Sequence, residues 1–337
     1  DGSYLCHSFN YQREVLDELS FLLLILKNNY SNENDLIEAI SFKNMLMIKF
    51  LNSFIQENGF LPNYGSNDGA FLFPIIESDY RDYRDSLNFA NVVLTGNKLF
   101  DTNCDITDFF SLPSNGVKKY DKKIRFDDGG YYILKNKTFF NFIRCHSYKD
   151  RPSQNDMFHL DIWIKDKNIF CDAGTYSYNT DKDFKNNFIG LVGHNTVMIN
   201  NLNHMSQVLN FGYSNWTKAQ CLEFNVKYFF GKNYAYKKDF GLIHQRSVEL
   251  ENDKIVIVDS IKNIKENTNI KQIWNTKFEV SHIDEYSLKV DGCIISSNIK
   301  HRLEKSYISD YYNSYVEGIR IIFEIDNFAS LLDGSIE

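Results

Sequence analysis

Apolar side chains recur at helical spacing over residues 11–29, where Val15, Leu16, Leu19, Leu22, Leu23 and Leu26 share one broad face, and again over 35–58. The pattern predicts two core helices, the second opened by Asn34 or Asp35 as N-cap and closed by Gly59. A third helix is predicted from Asp79 or Ser86 to Leu99, before Leu112-Pro113-Ser114-Asn115-Gly116 breaks the pattern and marks a boundary. Beyond it the period changes to short runs rich in Tyr, Phe, Ile and Val between Asp-Gly, Asn and Lys turns. Strands are predicted at 130–134, 139–146, 158–170, 196–199, 219–228, 242–250, 254–261, 270–278, 287–290 and 318–325, with 263–269 as a solvated turn. That spacing is the signature of an antiparallel β-sandwich. The chain therefore reads as α+β, a helical part over 1–115 followed by a β-sandwich over 116–337.

Two runs carry candidate chemistry. In 158–170, Phe158, Leu160, Ile162 and Ile164 alternate with His159, Asp161, Trp163 and Lys165, which predicts a half-buried strand. Its outer face would then offer His159, Asp161 and Trp163 as a polar and aromatic surface for sugar contact, or simply as an exposed sheet face. The run Asp172-Ala173-Gly174-Thr175-Tyr176-Ser177-Tyr178 follows, with a carboxylate at a strand end before a glycine turn. The second run, Gly193-His194-Asn195-Thr196-Val197-Met198-Ile199, puts an imidazole at the start of another apolar strand. Asp172 and His194 can meet either as oxygen and nitrogen ligands of one metal ion or as a hydrogen-bonded pair that pins the sheet.

Composition narrows the function classes. The 337 residues are 43% hydrophobic and 15% aromatic, enough for one large core or two medium ones. A net charge of -7 without a basic stripe argues against nucleic acid, and an anionic substrate would need a local cationic cluster. The six cysteines, at 6, 104, 145, 171, 221 and 293, show no metal-knuckle spacing and read as buried thiols. The apolar run 21–26 is too short for a membrane span, which needs about 20 residues. The start lacks Met and any signal-like pattern, so a missing N-terminal part is expected. His204, His244, His282 and His301 have no motif and read as surface or locally satisfied histidines.

Taken with Asp1-Gly2-Ser3, Ser8-Phe9-Asn10-Tyr11, Pro62-Asn63-Tyr64-Gly65-Ser66-Asn67-Asp68-Gly69-Ala70, Trp216 and Ser309-Asp310-Tyr311-Tyr312, these runs resemble the heparinase II/III family of polysaccharide lyases over nearly the whole chain. Arg151-Pro152-Ser153-Gln154-Asn155-Asp156 followed by His159-Leu160-Asp161-Ile162-Trp163 is similar to the branch found among bacterial surface-polysaccharide proteins. The resemblance implies the end of an incomplete (α/α) toroid followed by stacked β-sheets, an active site in the cleft between them, an acidic polysaccharide as partner and a periplasmic or secreted location. It also implies β-elimination: a base removes the C5 proton of a uronate, its carboxylate is neutralised, and an acid protonates the leaving oxygen.

Tyrosine suits both proton transfers, and Tyr64, in a Gly- and Asn-rich loop expected to project into a cleft, is the first catalytic candidate. His7 and Tyr11 lie in the other helical motif, whose counterparts help neutralise the substrate carboxylate, although Tyr4 and Cys6 depart from the usual pattern there. Asn67 and Asp68 would hold the Tyr64 loop by turn hydrogen bonds. Arg81 and Arg84, in an alternating Asp and Arg helix, either bind substrate carboxylates or form surface salt bridges. Tyr176 and Tyr178 either stack on sugar rings or pack the turn after Asp172. Many relatives carry a His-x-His-x-Asp segment with one metal-binding histidine, often for zinc. Here Pro152 and Gln154 stand at the two histidine positions. Gln154, Asp172 and His194 would make a weaker site for one divalent metal, empty or holding a harder ion such as calcium. A catalytically degenerate carbohydrate-binding protein is the alternative from another class. A hydrolase would need a facing carboxylate pair, and Asp68, Asp156 and Asp161 form no recognisable one.

Overall fold

The computed structural model describes residues 1–325 and the backbone of the short strand Ser335–Ile336. The chain forms two compact units, one of residues 1–62 and 69–129, the other of residues 63–68 and everything from Gly130 onward. The segment bearing Tyr64 thus belongs to the second unit. The division falls after Gly129, while the sequence pattern changes character at 115/116.

The first unit contains α1 (Phe9–Asn29), α2 (Asn34–Phe54), α3 (Arg84–Thr95), the short α4 (Asp105–Phe109) and β1 (Arg125–Phe126). Ser8 caps α1, its Oγ accepting the Tyr11 N–H at 3.1 Å. The α2 helix starts from Glu33 without a side-chain cap and ends at Ile55, so neither Asn34, Asp35 nor Gly59 caps it. Gly59 instead sits in the following turn, at φ +88. The predicted third helix stops at Thr95, where Gly96 takes the left-handed conformation and returns its N–H to the Val92 carbonyl at 2.8 Å. Leu23, Leu26, Ile40, Phe89, Val93 and Ile106 form an apolar core between these helices. Each such buried side chain stabilises by about 1.5–3 kcal/mol.

In the second unit β2 (Tyr131–Lys135), β3 (Phe139–Arg144), β4 (Leu160–Ile164) and β5 (Lys167–Phe170) pair antiparallel in chain order. The strand predicted over 158–170 is therefore a hairpin, turning at Lys165 with φ +53. There follow α5 (Lys182–Ile189), β6 (Val197–Ile199), the β7 (Ser206–Leu209) and β8 (Gly212–Ser214) hairpin, and a meander of β9 (Ala219–Phe224), β10 (Tyr228–Asn233), β11 (Ile243–Leu250) and β12 (Ile255–Lys262). Next come β13 (Ile270–Thr276), a small sheet of β14 (Val280–His282), β15 (Ser287–Val290) and β16 (Cys293–Ser296), and the long pair β17 (His301–Tyr311) and β18 (Ser314–Ile325). The order β17-β18-β13-β6 makes a further antiparallel sheet. Leu160, Phe229, Val248, Trp274, Ile321 and Phe323 meet in one apolar cluster, so sheets stack face to face around a shared core. The mixed, antiparallel α+β reading holds.

Candidate functional site

Asp172 follows β5, and its Oδ1 accepts the Gly174 N–H at 2.8 Å, closing the glycine turn. Gly174 has φ +81, and a Cβ there would lie 2.2 Å from the Ser309 carbonyl oxygen, so only glycine fits. The Ala173 N–H donates to the Gly193 carbonyl at 3.0 Å, which sets the residue after Asp172 against the residue before His194. Thr175 fastens the Tyr64 segment to the same turn. Its hydroxyl donates to the Gly65 carbonyl and accepts the Asn67 N–H, both at 3.1 Å. Asn63 Nδ2 adds a bond to the Ser309 carbonyl at 2.7 Å. The Thr175 hydroxyl and the Asn63 amide thus anchor the segment to residues 108 and 246 positions away.

Tyr64, expected to project into a cleft, is enclosed by aromatic rings. It is 3% exposed, edge-on to Phe142 at 5.4 Å and to Tyr131 at 5.8 Å. The guanidinium of buried Arg144 lies 4.6 Å from the Tyr131 ring centre, 5.4 Å from Tyr148 and 5.6 Å from Tyr64, a cationic centre walled by phenols. Tyr148 donates to Asp156 Oδ1 at 2.6 Å, and Asp156 Oδ2 is 3.8 Å from Arg144 Nε. Burial pushes the Tyr64 phenol well above its ordinary value, with Arg144 opposing. In this state Tyr64 is a neutral phenol, a proton donor whose ionisation Arg144 favours.

His159 and Trp163 are not on an open face. They are 0% and 2% exposed, and Asp161 is fully buried with them, so the strand presents no open polar and aromatic face. The Asp161 carboxylate accepts from the Trp163 indole, the Asp172 N–H at 3.3 Å and His159 Nε2 at 3.3 Å. Polar residues on this strand face inward because they have partners there.

His194 Nδ1 lies 2.9 Å from Asp172 Oδ2. Burial opposes a charge on His194, but the Asp172 carboxylate outweighs it and holds the imidazole above its ordinary value. His159, Asp172 and His194 bring one ligand atom each within 4.8 Å of one another. His159 is a poor metal ligand all the same. Its Nδ1 accepts the Asn195 N–H at 3.0 Å, so the proton of a neutral ring sits on Nε2 and points at carboxylate oxygens. Asp172 is engaged in the same way, its Oδ1 by the Gly174 N–H at 2.8 Å and its Oδ2 by His194 Nδ1 at 2.9 Å. Gln154 Oε1 is buried without a hydrogen-bond partner among the described residues, while His194 faces the Ile189 carbonyl as well as Asp172. Gln154 is oriented by its Nε2, which donates to the Gly174 carbonyl at 3.3 Å and to Thr175 Oγ1 at 3.4 Å.

A buried clamp holds the backbone on both sides of the imidazoles. Arg246 Nη1 donates to the Phe158 carbonyl at 2.6 Å and the Asn195 carbonyl at 2.8 Å, next to His159 and His194. Asn195 Nδ2 reaches the Leu160 carbonyl at 2.9 Å, and its Oδ1 accepts the Asn275 N–H at 2.7 Å, joining β4 to β13. Arg144, Tyr131, Tyr148 and Arg246 were not singled out from the sequence. For Arg144 the usable signal was a lone charge ending an otherwise mostly apolar strand.

The remaining candidates separate. His7, with φ +50, and Tyr11 lie at the start of α1 in the first unit, His7 buried and Tyr11 half-buried. Arg81 and Arg84 are also in that unit. Arg84 grips Asp82, Nε to Oδ1 at 2.9 Å, which is the salt-bridge alternative, and only Arg84 and Asp85 of the alternating run are helical. Arg81 is buried, its guanidinium 5.1 Å from the Phe60 ring centre. In the second unit Tyr176 stacks on Phe188 at 5.2 Å and packs the turn. Tyr178 sits half-buried against Phe211 at 5.0 Å.

A family model described as heparinase II/III-like, C-terminal, matches residues 120–305, more than half of the chain. Among solved structures, a heparinase III gene product superposes with TM-score 0.68 at 15% identity, over 100% of this chain and 51% of its own. The heparan sulfate lyase HepC from Pedobacter heparinus gives 0.66 at 18%, over 97% and 50%. The chondroitin AC lyase of Streptomyces coelicolor A3, in complex with chondroitin sulphate, gives 0.53 at 10%, over 99% and 53%. The chain thus spans about half the length of these structures, and at such identities the likeness is one of fold. No curated protein matches the sequence. The glycine turn after Asp172, the imidazole at His194 and both strands that carry them lie inside the matched region, and on that match the chain belongs to the heparinase II/III-like family.

Proposed function

We propose that this chain works as a polysaccharide lyase on an acidic, uronate-containing bacterial glycan, cleaving by β-elimination. The observation that carries the reading is Tyr64 set beside the Arg144 guanidinium and fastened through Thr175 to the Asp172 turn. To act as the base for C5–H, Tyr64 would first release its phenolic proton to water, a loss that the Arg144 guanidinium favours and burial opposes. The same oxygen, once protonated, can return the proton to the leaving glycosidic oxygen. A divalent cation held by Gln154, Asp172 and His194 would supply positive charge that compensates the buried carboxylates. His159 donates to Asp161 and keeps that carboxylate in place.

A binding protein without catalysis is the second reading, favoured by the burial that holds Tyr64 protonated and by Pro152 and Gln154 at histidine positions. A hydrolase is disfavoured, since Asp156 is tied to Tyr148 and Asp161 is engaged by three donors. Incubation of the protein and its Tyr64→Phe variant with the acidic polysaccharide of the producing bacterium tests the choice. Ultraviolet absorbance of an unsaturated uronate, abolished in the variant, supports the lyase. Binding to the same glycan with no such absorbance moves the assignment to the second reading.

A further inference from the structure

Two histidines without a sequence motif meet at the surface of the second unit. His282 ends β14 and is exposed, and His301 opens β17 and is half-buried. The loop between β14 and β15 holds them together. Its Ile283 N–H donates to the Ser287 carbonyl at 3.1 Å, its Glu285 carbonyl accepts the His301 N–H at 3.2 Å, and the Glu285 carboxylate pairs with Lys300. The start of β17 is thereby fixed beside the end of β14, although the two strands belong to different sheets.

The rings face each other through nitrogen. His282 Nδ1 lies 2.9 Å from His301 Nε2, with ring centres 4.9 Å apart and planes 30° from parallel. Without an ion this contact is one hydrogen bond, in which one ring donates and the other accepts. The same spacing suits a metal. Bonds of about 2.1 Å from one ion to two imidazoles put their nitrogens about 3.0 Å apart when the bonds meet at a right angle, and about 3.4 Å apart at the tetrahedral angle. The observed 2.9 Å matches the right angle, which separates neighbouring positions of a square-planar or octahedral ion, the geometries of Cu²⁺ and Ni²⁺. Burial and the nearby His282 hold His301 below the ordinary histidine value, so the ring is neutral at pH 7, the form that ligates. Asp284 acts on His301 as a nearby negative charge and would offset part of the ion's charge. Water has access to the remaining coordination positions because His282 is exposed.

We propose that His282 Nδ1 and His301 Nε2 bind one divalent transition-metal ion of the Cu²⁺ or Ni²⁺ type, clipping β14 to β17. The ring that donates in the metal-free pair shifts its proton to its other nitrogen, so both facing nitrogens offer a lone pair. The pair shares no residue with Gln154, Asp172 and His194, and the proposal stands whether or not the chain is a lyase. Calorimetric titration of the full chain with Ni²⁺ and Cu²⁺, with Mg²⁺ as the comparison ion, would be repeated on His282→Gln and His301→Gln variants. One equivalent of each transition metal should bind, Mg²⁺ should not, and each variant should weaken binding at least tenfold. Electron paramagnetic resonance of the bound Cu²⁺ should show coupling to two nitrogens in the wild type and to one in each variant. His282 is exposed, so its variant serves if His301→Gln fails to fold. Mg²⁺ binding as tight as that of Ni²⁺, unchanged affinity in a folded variant, or nitrogen coupling that the substitutions do not alter would overturn the assignment.

Discussion

Replacing Arg246 by Met removes a fully buried guanidinium from four bonds. Nε and Nη2 hold the two Asp259 oxygens at 2.7 Å each, while Nη1 holds the carbonyls of Phe158 and Asn195. Asp259 cannot leave, because His244 Nε2 at 2.6 Å and Gln272 Nε2 at 2.7 Å still bind it. The substitution therefore strands a buried carboxylate, and breaking a buried pair from one side costs about 3–5 kcal/mol. Urea unfolding followed by tryptophan fluorescence is a suitable assay, since Trp274 lies 5.7 Å from the guanidinium. Adding Asp259→Asn to Arg246→Met should recover part of the loss, because an amide needs no countercharge. The pH dependence has a definite sign. Burial pushes Asp259 up, but Arg246 and His244 hold it below the ordinary carboxylate range. The wild-type pair thus contributes stability above about pH 4, the unfolded value, and loses it as pH falls. Without Arg246 burial dominates and the carboxyl titrates higher, so the gap between wild type and variant should narrow on acidification. A gap under about 1 kcal/mol at pH 7, a double variant no better than the single, or a gap that widens in acid would each refute the reasoning.

Other perturbations test other parts of the chain. Burial raises the Asp17 carboxyl to about 7 against Arg13 and Ser86, so its folded form holds a proton that the unfolded chain releases. Its stabilisation is full below about pH 4 and falls by about 4 kcal/mol as pH rises past 7; Asp17→Asn should flatten that fall in urea midpoints between pH 5 and 8, and an unchanged slope would rule it out. Gly174→Ala should cost at least about 2 kcal/mol, from the left-handed backbone and a Cβ driven into the Ser309 carbonyl; a neutral denaturation midpoint would show that the turn yields. Gln154→His should raise zinc retention after dialysis at least about tenfold, read by elemental analysis. If the variant retains no more zinc than wild type, the ligand set built on Gln154 is wrong.

The three long helices were legible because their apolar faces recur every three to four residues, and most strands because turn residues bracket them. The β17 strand escaped detection. His301–Tyr311 mixes charged and apolar residues without clean alternation, since Arg302 and Glu304 take ion-pair partners from β18. The misreading of 158–170 has a sharper cause. Alternation reports which face is polar, and it cannot report whether that face is wet. His159, Asp161 and Trp163 are polar or amphipathic and still buried, because each spends its polar atoms on another.

Tyr64, Asp172 and His194 were legible as residue types in recognisable runs, yet what fastens their segments together lies in groups that no local pattern marks. A threonine hydroxyl binds a carbonyl 110 residues away, and an arginine clamps the Asn195 carbonyl 51 residues away. Such contacts are set by topology, and topology also explains how a lone charge can be interpreted. Arg246 and Asp259 are direct cross-strand partners in the register of β11 and β12, and Asp259 follows four apolar residues of its strand. A solitary charge in one predicted strand is ambiguous. Opposite charges in consecutive strands, at positions that a hairpin register would align, amount to a prediction of a buried ion pair. By that rule the clamp behind the imidazoles was within reach of the sequence, whereas the Thr175 tether to the Tyr64 segment was not, since a hydroxyl at a turn has too many local partners to point to a distant one.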